Sequence, residues 1–331
     1  MTLDRIRRRI VAAGTAATAL PTLARAQGEE WPKARPIRVV APSVPGGGSD
    51  LSARMFAEML TRPLGQRIII DNKPGANGII GNDAVAKSPP DGYTLLYTYA
   101  AAVAVNQALM PNMPYDALKD LQPVAQVATG GTFLIVTPDL PVSNLKEFVA
   151  LIKANPGKYD YGSWGIGSGG HLQMEWLKMH SGLQMNHVPY KSTTPMVTDL
   201  QSGVIRIAFA DTGTTLPLIK AGRLKAIAIS GTKRAVGLPE LPTMREQGFP
   251  FDVDAWYAFF APANTPMPIV NRLNAEIGKV LADPANLPRF TSINLVPASP
   301  YLTPAQFGDS VRNDIELWSK VIKAANIKPT L

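Results

Sequence analysis

The sequence predicts an α/β protein of two lobes, each a sheet flanked by helices. Three observations carry that expectation. Short apolar, β-branched runs alternate with longer segments of helical periodicity along most of the chain. Two glycine-rich turns, far apart in sequence, each join a strand-like run to a helix-like run. The 331 residues, 46% of them hydrophobic and only 18% charged, suffice for two ordinary domains, each with its own core. The alternation further predicts a parallel, doubly wound sheet.

The first 26 residues stand apart. Residues 5–9 read Arg-Ile-Arg-Arg-Arg, an uncharged stretch runs from Ile10 to Leu23, and Ala24-Arg25-Ala26 follows. A basic region, an apolar region and a small-x-small site in that order make a secretory signal over 1–26. The apolar run is 14 residues long, short of the roughly 20 that a membrane span needs. Arg8-Arg9 leaves both the general and the twin-arginine export routes open. Five of the chain's arginines lie in this segment against Asp4, a net +4 of the total +8. The exported chain is therefore about +4, and the sequence pI of 9.6 overstates its basicity.

The elements then follow in order. Ile37–Ala41 is a short apolar strand, and Leu51, Met55 and Met59 recur at helical spacing behind the first glycine turn. Arg67–Asp71, Thr94–Thr98 and Phe133–Thr137 read as strands. Asn144 with Glu147 three residues on forms a capping box, and Leu145, Phe148, Val149 and Ile152 line the helix it opens. That helix must stop at Asn155-Pro156-Gly157. Strands are expected near 187–190, 205–210 and 225–230 and at Trp256–Ala261, with helices at about 267–282 and 304–325. No repeat of 20–50 residues is visible.

Composition excludes several chemistries. Without cysteine there is no disulfide, thiolate metal site, iron–sulfur cluster or cysteine nucleophile. Only three histidines exist, at 171, 180 and 187, so no metal and no cofactor is expected. His180 and His187 read as surface or packing positions, and Met174, Trp176 and Met179 as core. No run of five Lys/Arg follows the signal, so nucleic acid is not an expected partner.

The first turn, Pro45-Gly46-Gly47-Gly48-Ser49-Asp50, lets backbone approach a ligand closely, with Ser49 or Asp50 as N-cap. Free N–H groups at a helix start make an anion site. No Gly-Lys-Ser/Thr follows, so it is not a phosphate-binding P-loop. The second turn runs Gly162-Ser163-Trp164-Gly165-Ile166-Gly167-Ser168-Gly169-Gly170 before a helix with Leu172, Trp176 and Met179 on one face. Its G-x-G-x-x-G lacks the acidic residue about 20 positions on that a dinucleotide site requires. No G-x-S-x-G elbow surrounds Ser163 or Ser168. Two such turns facing each other across a cleft would offer backbone donors to one anionic ligand from both sides.

Many of these segments resemble one family. Arg35-Pro36-Ile37-Arg38-Val39-Val40, the first turn with Ala53-Arg54, Asp71-Asn72-Lys73-Pro74-Gly75-Ala76-Asn77-Gly78 and Pro90-Asp91-Gly92-Tyr93-Thr94 resemble the substrate-binding proteins of tripartite tricarboxylate transporters, the Bug-type receptors. Asn155-Pro156-Gly157-Lys158, Val188-Pro189-Tyr190-Lys191, Ala221-Gly222-Arg223-Leu224-Lys225-Ala226 and Ala261-Pro262-Ala263-Asn264-Thr265-Pro266 continue the similarity over essentially the whole exported chain. The resemblance implies a periplasmic binding protein of the type II fold. Lobe one would be 27–131 plus 260–331, and lobe two 132–259, with a hinge near Gly130-Gly131 and Phe259–Pro262. It implies a monomeric receptor without catalysis that hands an organic carboxylate to a permease of one large and one small membrane subunit.

The family's ligand contacts map onto Gly46, Gly47, Gly48, Ser49 and Asp50 of the first turn, and onto Gly165, Ile166, Gly167, Ser168 and His171 of the second. They further map onto Thr98 and Tyr99, and onto Asp211 and Thr212. Trp164 and Tyr99 stand where the family carries smaller residues, and Ser192 replaces its usual glycine. Trp164 either faces a longer or aromatic carboxylate or packs on the lobe, and Asp211 either meets the ligand or caps a helix. Two other functions are weighed against transport: a sensor feeding a two-component kinase, and an exported serine hydrolase using Ser163 or Ser168 with His171 and Asp211.

Overall fold

A computed structural model describes residues 31–328, apart from 47, 252 and 294. The signal segment 1–26 lies outside the described residues, as does Gly47. Two five-stranded sheets organise the chain. The first has the order β2-β1-β3-β10-β4, with β1 Ile37–Ala41, β2 Ile68–Asn72, β3 Thr94–Tyr99, β4 Leu121–Gly130 and β10 Ala255–Pro262. The second has the order β7-β6-β8-β5-β9, with β5 Phe133–Val136, β6 Asp160–Ser163, β7 Asn186–Pro189, β8 Ile207–Ala210 and β9 Lys225–Ile229.

The sheets are mixed rather than wholly parallel. Strands joined by helical crossovers run parallel: β1 with β2 and β3, and β6 with β7 and β8. The strands that carry the chain between lobes run against them: β10 pairs antiparallel with β3 and β4, and β5 with β8 and β9.

Helices cover each sheet. On the first, α1 (Gly48–Leu64) and α8 (Met267–Ala282) bury Phe56, Leu60, Val270 and Ile277 in one cluster. Across that sheet, Val85 of α2 (Ile79–Ala86) joins Phe307 and Val311 of α10 (Pro304–Ala324) in a second cluster. In the second lobe, α4 (Leu145–Ala154) and α5 (Gly169–Ser181) share one core, and α6 (Thr193–Ser202) and α7 (Thr212–Lys220) another.

Local signals explain several boundaries. Asn144 accepts the Glu147 N–H at 2.9 Å and so starts α4, while the Glu147 carboxylate reaches one residue further back, to the Ser143 N–H at 2.7 Å. The helix ends at Ala154, before Gly157 at φ +72°. The buried face of α1 differs from the Leu51–Met55–Met59 stripe. Leu51 is exposed, and Ala53, Phe56, Leu60 and Leu64 form the core face with Met55 at its edge. On α5, Leu172, Met174 and Leu177 are fully buried while Met179 is exposed.

Gly131 and Thr132 carry the chain from the first sheet to the second, and the chain returns to the first at Ala255. A Cβ on Gly131 would stand 1.7 Å from the Ser230 carbonyl, so the segment after β9 lies directly against this crossing. Thr132 N–H donates to Ser230 Oγ and Ser230 N–H to the Thr132 carbonyl, both at 2.9 Å. Asp254 accepts the Thr232 N–H at 2.9 Å and its hydroxyl at 2.8 Å. Leu109, from α3 (Asn106–Leu109), and Trp318, Val321 and Ile322 of α10 join the core that α4 and α5 form. One apolar cluster therefore runs across the lobe boundary.

Candidate functional site

The carboxyl ends of β1 and β6 each open into a glycine turn and then a helix, the place where open α/β sheets bind ligands. In the first turn α1 begins at Gly48, so Ser49 and Asp50 sit inside its first turn rather than at the cap. The Asp50 carboxylate folds back. It accepts the Gly46 N–H at 2.8 Å, Arg54 Nε at 3.0 Å and Asn72 Nδ2 at 2.8 Å. Burial pushes this carboxyl up, and the bonds from Arg54, Gly46 and Asn72 outweigh it and hold it below the usual range. Asp50 and the Gly46 N–H are thus committed to shaping the turn.

Ser49 is different. It is 8% exposed, and its Oγ is buried without a hydrogen-bond partner at the positive end of a 17-residue helix. The nearby hydroxyl chain from Tyr97 to Ser52 Oγ, 2.8 Å, continues to the Ser49 carbonyl at 3.1 Å and leaves Oγ unused.

Thr98 and Tyr99 part company because neighbours on a strand point to opposite faces. Thr98 is fully buried and donates to Asn82 Oδ1 of α2 at 3.2 Å, away from the first turn. The Tyr99 hydroxyl donates to Asn77 Oδ1 at 3.4 Å, and burial pushes its phenol up to about 12. Asn77 belongs to a loop in which Gly75, Ala76, Asn77 and Gly78 all have positive φ. Its side chain donates to Asn106 Oδ1 at 3.0 Å, and Asn106 Nδ2 returns a bond to the Asn77 carbonyl at 2.9 Å.

Tyr257 is the residue that sequence reasoning missed. It pairs in register with Tyr99 across β10 and β3, and its ring stacks on Tyr97 at 5.9 Å. A Cβ on Gly48 would lie 3.8 Å from its hydroxyl. Burial raises this phenol, and the charge of Asp211, from the other lobe, raises it further together with Tyr99. The Tyr257 hydroxyl therefore lies close to the α1 N-terminus and feels the charge at the end of β8. The apolar run Trp256–Ala261 signalled a strand, but nothing local marked which face would meet the turn.

In the second turn the backbone is largely self-satisfied. Gly165 N–H donates to Ser163 Oγ at 3.2 Å, Gly167 N–H to His171 Nδ1 at 3.1 Å, and Ser168 N–H to the Gly165 carbonyl at 3.1 Å. Among the described residues none accepts the Ile166 N–H that lies between them. Ser168 is the N-cap of α5 and accepts the His171 N–H at 3.4 Å. A Cβ on Gly167 would stand 2.6 Å from Leu109 Cδ2, so this turn lies against lobe one.

Asp211 caps α7, accepting the Thr214 N–H at 2.8 Å, with Thr212 opening the helix. Trp164 packs rather than projects. Its ring lies over Gly169 and Gly170, where a Gly170 Cβ would be 2.6 Å from Cζ3, and it joins the α6–α7 core half-buried.

The serine–histidine–aspartate set is not assembled. Ser163 Oγ stands 2.6 Å from His187 Nε2, Ser168 Oγ caps α5, His171 Nδ1 accepts a backbone N–H, and Asp211 caps α7. His187 is thus a half-buried packing partner of the turn. Among the described residues no group of three or more His, Cys, Asp or Glu is placed to hold a metal ion. Nor is any helix among them long and apolar enough to cross a membrane.

Two sheet-centred lobes, each with a glycine turn and a helix start at the carboxyl end of a strand, make a bilobal α/β fold of the kind that solute receptors share. Comparison with known proteins narrows this. The profile of the tripartite tricarboxylate transporter family receptor matches residues 52–327, and the chain belongs to that family of periplasmic receptors. It is 36% identical to Protein BugT of Bordetella pertussis over 297 residues, 89% of this chain and 90% of that one. Among solved structures it is similar to R. palustris Rpa4515 with adipate, at 33% identity and TM-score 0.81 over 91% of this chain and 100% of that one. It is also similar to MatC from Rhodopseudomonas palustris with bound malate, at 29% identity and TM-score 0.75 over 88% and 99%. Members of the family are substrate-binding receptors, not enzymes.

Proposed function

We propose that this protein captures an organic carboxylate, a dicarboxylate or an aromatic carboxylate, between its lobes. As an exported monomer it would then deliver the ligand to a membrane permease of one large and one small subunit. The observation that carries this reading is the buried, partnerless Ser49 hydroxyl at the α1 N-terminus, with the Tyr257 hydroxyl close to the neighbouring Gly48. A helix N-terminus stabilises an anion through unsatisfied N–H groups and its dipole. Ser49 and Tyr257 add neutral donors, and Ile166 N–H offers one from lobe two. The adipate and malate held by the two solved relatives support a carboxylate as the ligand class. Tyr99 and Tyr257 give the site an apolar flank able to lie along an aliphatic or aromatic body. We further take the chain to leave lobe one after Gly131 and to re-enter it at Ala255 rather than at 260, because all of β10 lies in the first sheet, with the hinge around Gly131, Ser230 and Asp254 rather than at Phe259–Pro262.

A thermal-shift screen of the protein lacking residues 1–26 tests the reading. The panel holds C4–C8 dicarboxylates, citrate, acidic amino acids, nicotinate, benzoate and terephthalate. A true ligand at a hundredfold excess over its Kd adds about 2.7 kcal/mol of stability. Silence across the panel would overturn the carboxylate reading and favour a partner-binding or sensor role.

A further inference from the structure

Behind the second glycine turn lies a stack of three rings. Tyr161 of β6 stacks on His187 of β7 at 4.9 Å and 21°, and His187 stacks on His171 of α5 at 4.0 Å and 6°. Both imidazoles end on the turn. His171 Nδ1 accepts the Gly167 N–H at 3.1 Å, which requires that nitrogen to be unprotonated. His187 Nε2 stands 2.6 Å from Ser163 Oγ, and that hydroxyl donates to the Gly165 carbonyl at 2.9 Å and accepts the Gly165 N–H at 3.2 Å. Ser163 Oγ thus meets three polar groups at once, the carbonyl and N–H of Gly165 and His187 Nε2. The N–H groups of Gly165 and Gly167 are therefore drawn inward, and Ile166 N–H is left free between them.

We propose that His171 and His187 are positioning residues that set the second glycine turn, so that Ile166 N–H and the α5 N-terminus meet a ligand carboxylate. The inference rests on the receptor reading above. The other titratable groups against the pair are Glu175 and Lys178 on α5 and Tyr161 on β6. Glu175 is already engaged, accepting the Tyr161 hydroxyl at 2.5 Å and Lys178 Nζ at 2.6 Å. Burial holds both imidazoles below the ordinary histidine range. For His171, Glu175 opposes this and Lys178 adds to it; His187 falls to about 3, helped by His171 and Lys178. A proton on His171 Nδ1 would face the Gly167 N–H donor to donor and release the turn. Ligand affinity is then constant at neutral pH and falls on acidification.

Calorimetric titration with adipate and with malate, from pH 8 down to pH 5, tests this on His171→Leu and His171→Asn. Leucine removes the acceptor, and affinity should drop about tenfold at every pH. Asparagine places an amide oxygen where Nδ1 stood, so it should recover most of the affinity and leave only the shallower fall that protonation of the ligand's own carboxyls gives near pH 5. Unchanged affinity in His171→Leu, or the wild-type pH profile in His171→Asn, would overturn the proposal. Nitrogen-15 spectra of the ligand-free wild-type protein give a readout independent of any ligand. His171 should show protonated Nε2 and bare Nδ1 at pH 7, and a protonated Nδ1 would overturn the positioning role. If the wild type binds neither probe, the receptor reading fails for these acids, while the spectra still decide the arrangement of the turn.

Discussion

Removing the Ser49 hydroxyl should move ligand-free stability and ligand affinity in opposite directions. Ser49 is 8% exposed and its Oγ has no partner, so the folded protein has desolvated a hydroxyl without recompense. Such a group costs about 1–3 kcal/mol. Ser49→Ala deletes it without touching the neighbouring chain from Tyr97 through Ser52, which ends on the Ser49 carbonyl. For a domain of this size 1 kcal/mol corresponds to roughly 2 °C, so the ligand-free melting temperature should rise by about 2–6 °C. A bound carboxylate loses a charge-assisted hydrogen bond of about 1.5–3 kcal/mol, which is roughly 10- to 150-fold in Kd. Melting curves of ligand-free wild type and variant, followed by calorimetry with the best acid of the screen, measure both quantities. A lower ligand-free melting temperature with unchanged Kd would show that the hydroxyl has a structural partner, and the anion site at α1 would lose its main support.

Three further outcomes follow from the packing and charge of the fold. Burial raises the Asp314 carboxyl to about 6 against the 2.7 Å bond from Trp256 Nε1, and the charge of Asp254 adds to the rise. The native state then favours protonated Asp314, and this stabilisation, complete below the unfolded value near 3.9, is lost as pH rises through about 6. The melting temperature of Asp314→Asn relative to wild type should therefore climb between pH 5 and pH 7.5; a constant difference would refute the shift. Gly170→Ala places a Cβ 2.6 Å from Trp164 Cζ3 and 3.0 Å from the Phe209 carbonyl, and should cost about 1–3 kcal/mol. Part of that loss should vanish when Trp164 is also alanine, and equal losses in both backgrounds would mean the ring lies elsewhere. Gly131→Ala meets the Ser230 carbonyl at 1.7 Å, so a variant that melts like the wild type would contradict the contact between the two lobe crossings.

Elements with strong periodicity or clear punctuation were legible in the chain. Asn144, Glu147 and Gly157 bound α4, and the apolar runs of β1, β3 and β5 fall where expected. One strand was not legible, and another was implied only by the glycine turn behind it. β4, Leu-Gln-Pro-Val-Ala-Gln-Val-Ala-Thr-Gly, contains Pro123 and two glutamines, and it tolerates them because it is the edge of its sheet with bulged pairing to β10. β6 is four residues long with Gly162 in the middle, where a Cβ would stand 2.5 Å from Ile205 Cδ1. Its glycine is a demand of the neighbouring core and carries no strand propensity of its own.

The candidate site divides in the same way. Glycines, a helix behind them and a serine at the turn are local facts, and local sequence announces an anion-binding helix start in each lobe. Which atoms remain available is settled by hydrogen-bond competition, from side chains one helical turn away as well as from residues far along the chain. Asn72 and Arg54 occupy Asp50, His171 occupies Gly167, and nothing occupies Ser49 Oγ. Thr98 and Tyr99 are equivalent as neighbours, and only the pleat and the position of α2 send one inward and the other to the seam. Tyr257 comes beside Gly48 through antiparallel pairing of strands more than 150 positions apart, and His187 comes beside His171 through a parallel pairing of β7 with β6. Propensity and turn chemistry act over a few residues. Burial and hydrogen-bond competition depend on whatever the fold brings alongside, so the chain alone names the turns and the tertiary structure names the free donors within them.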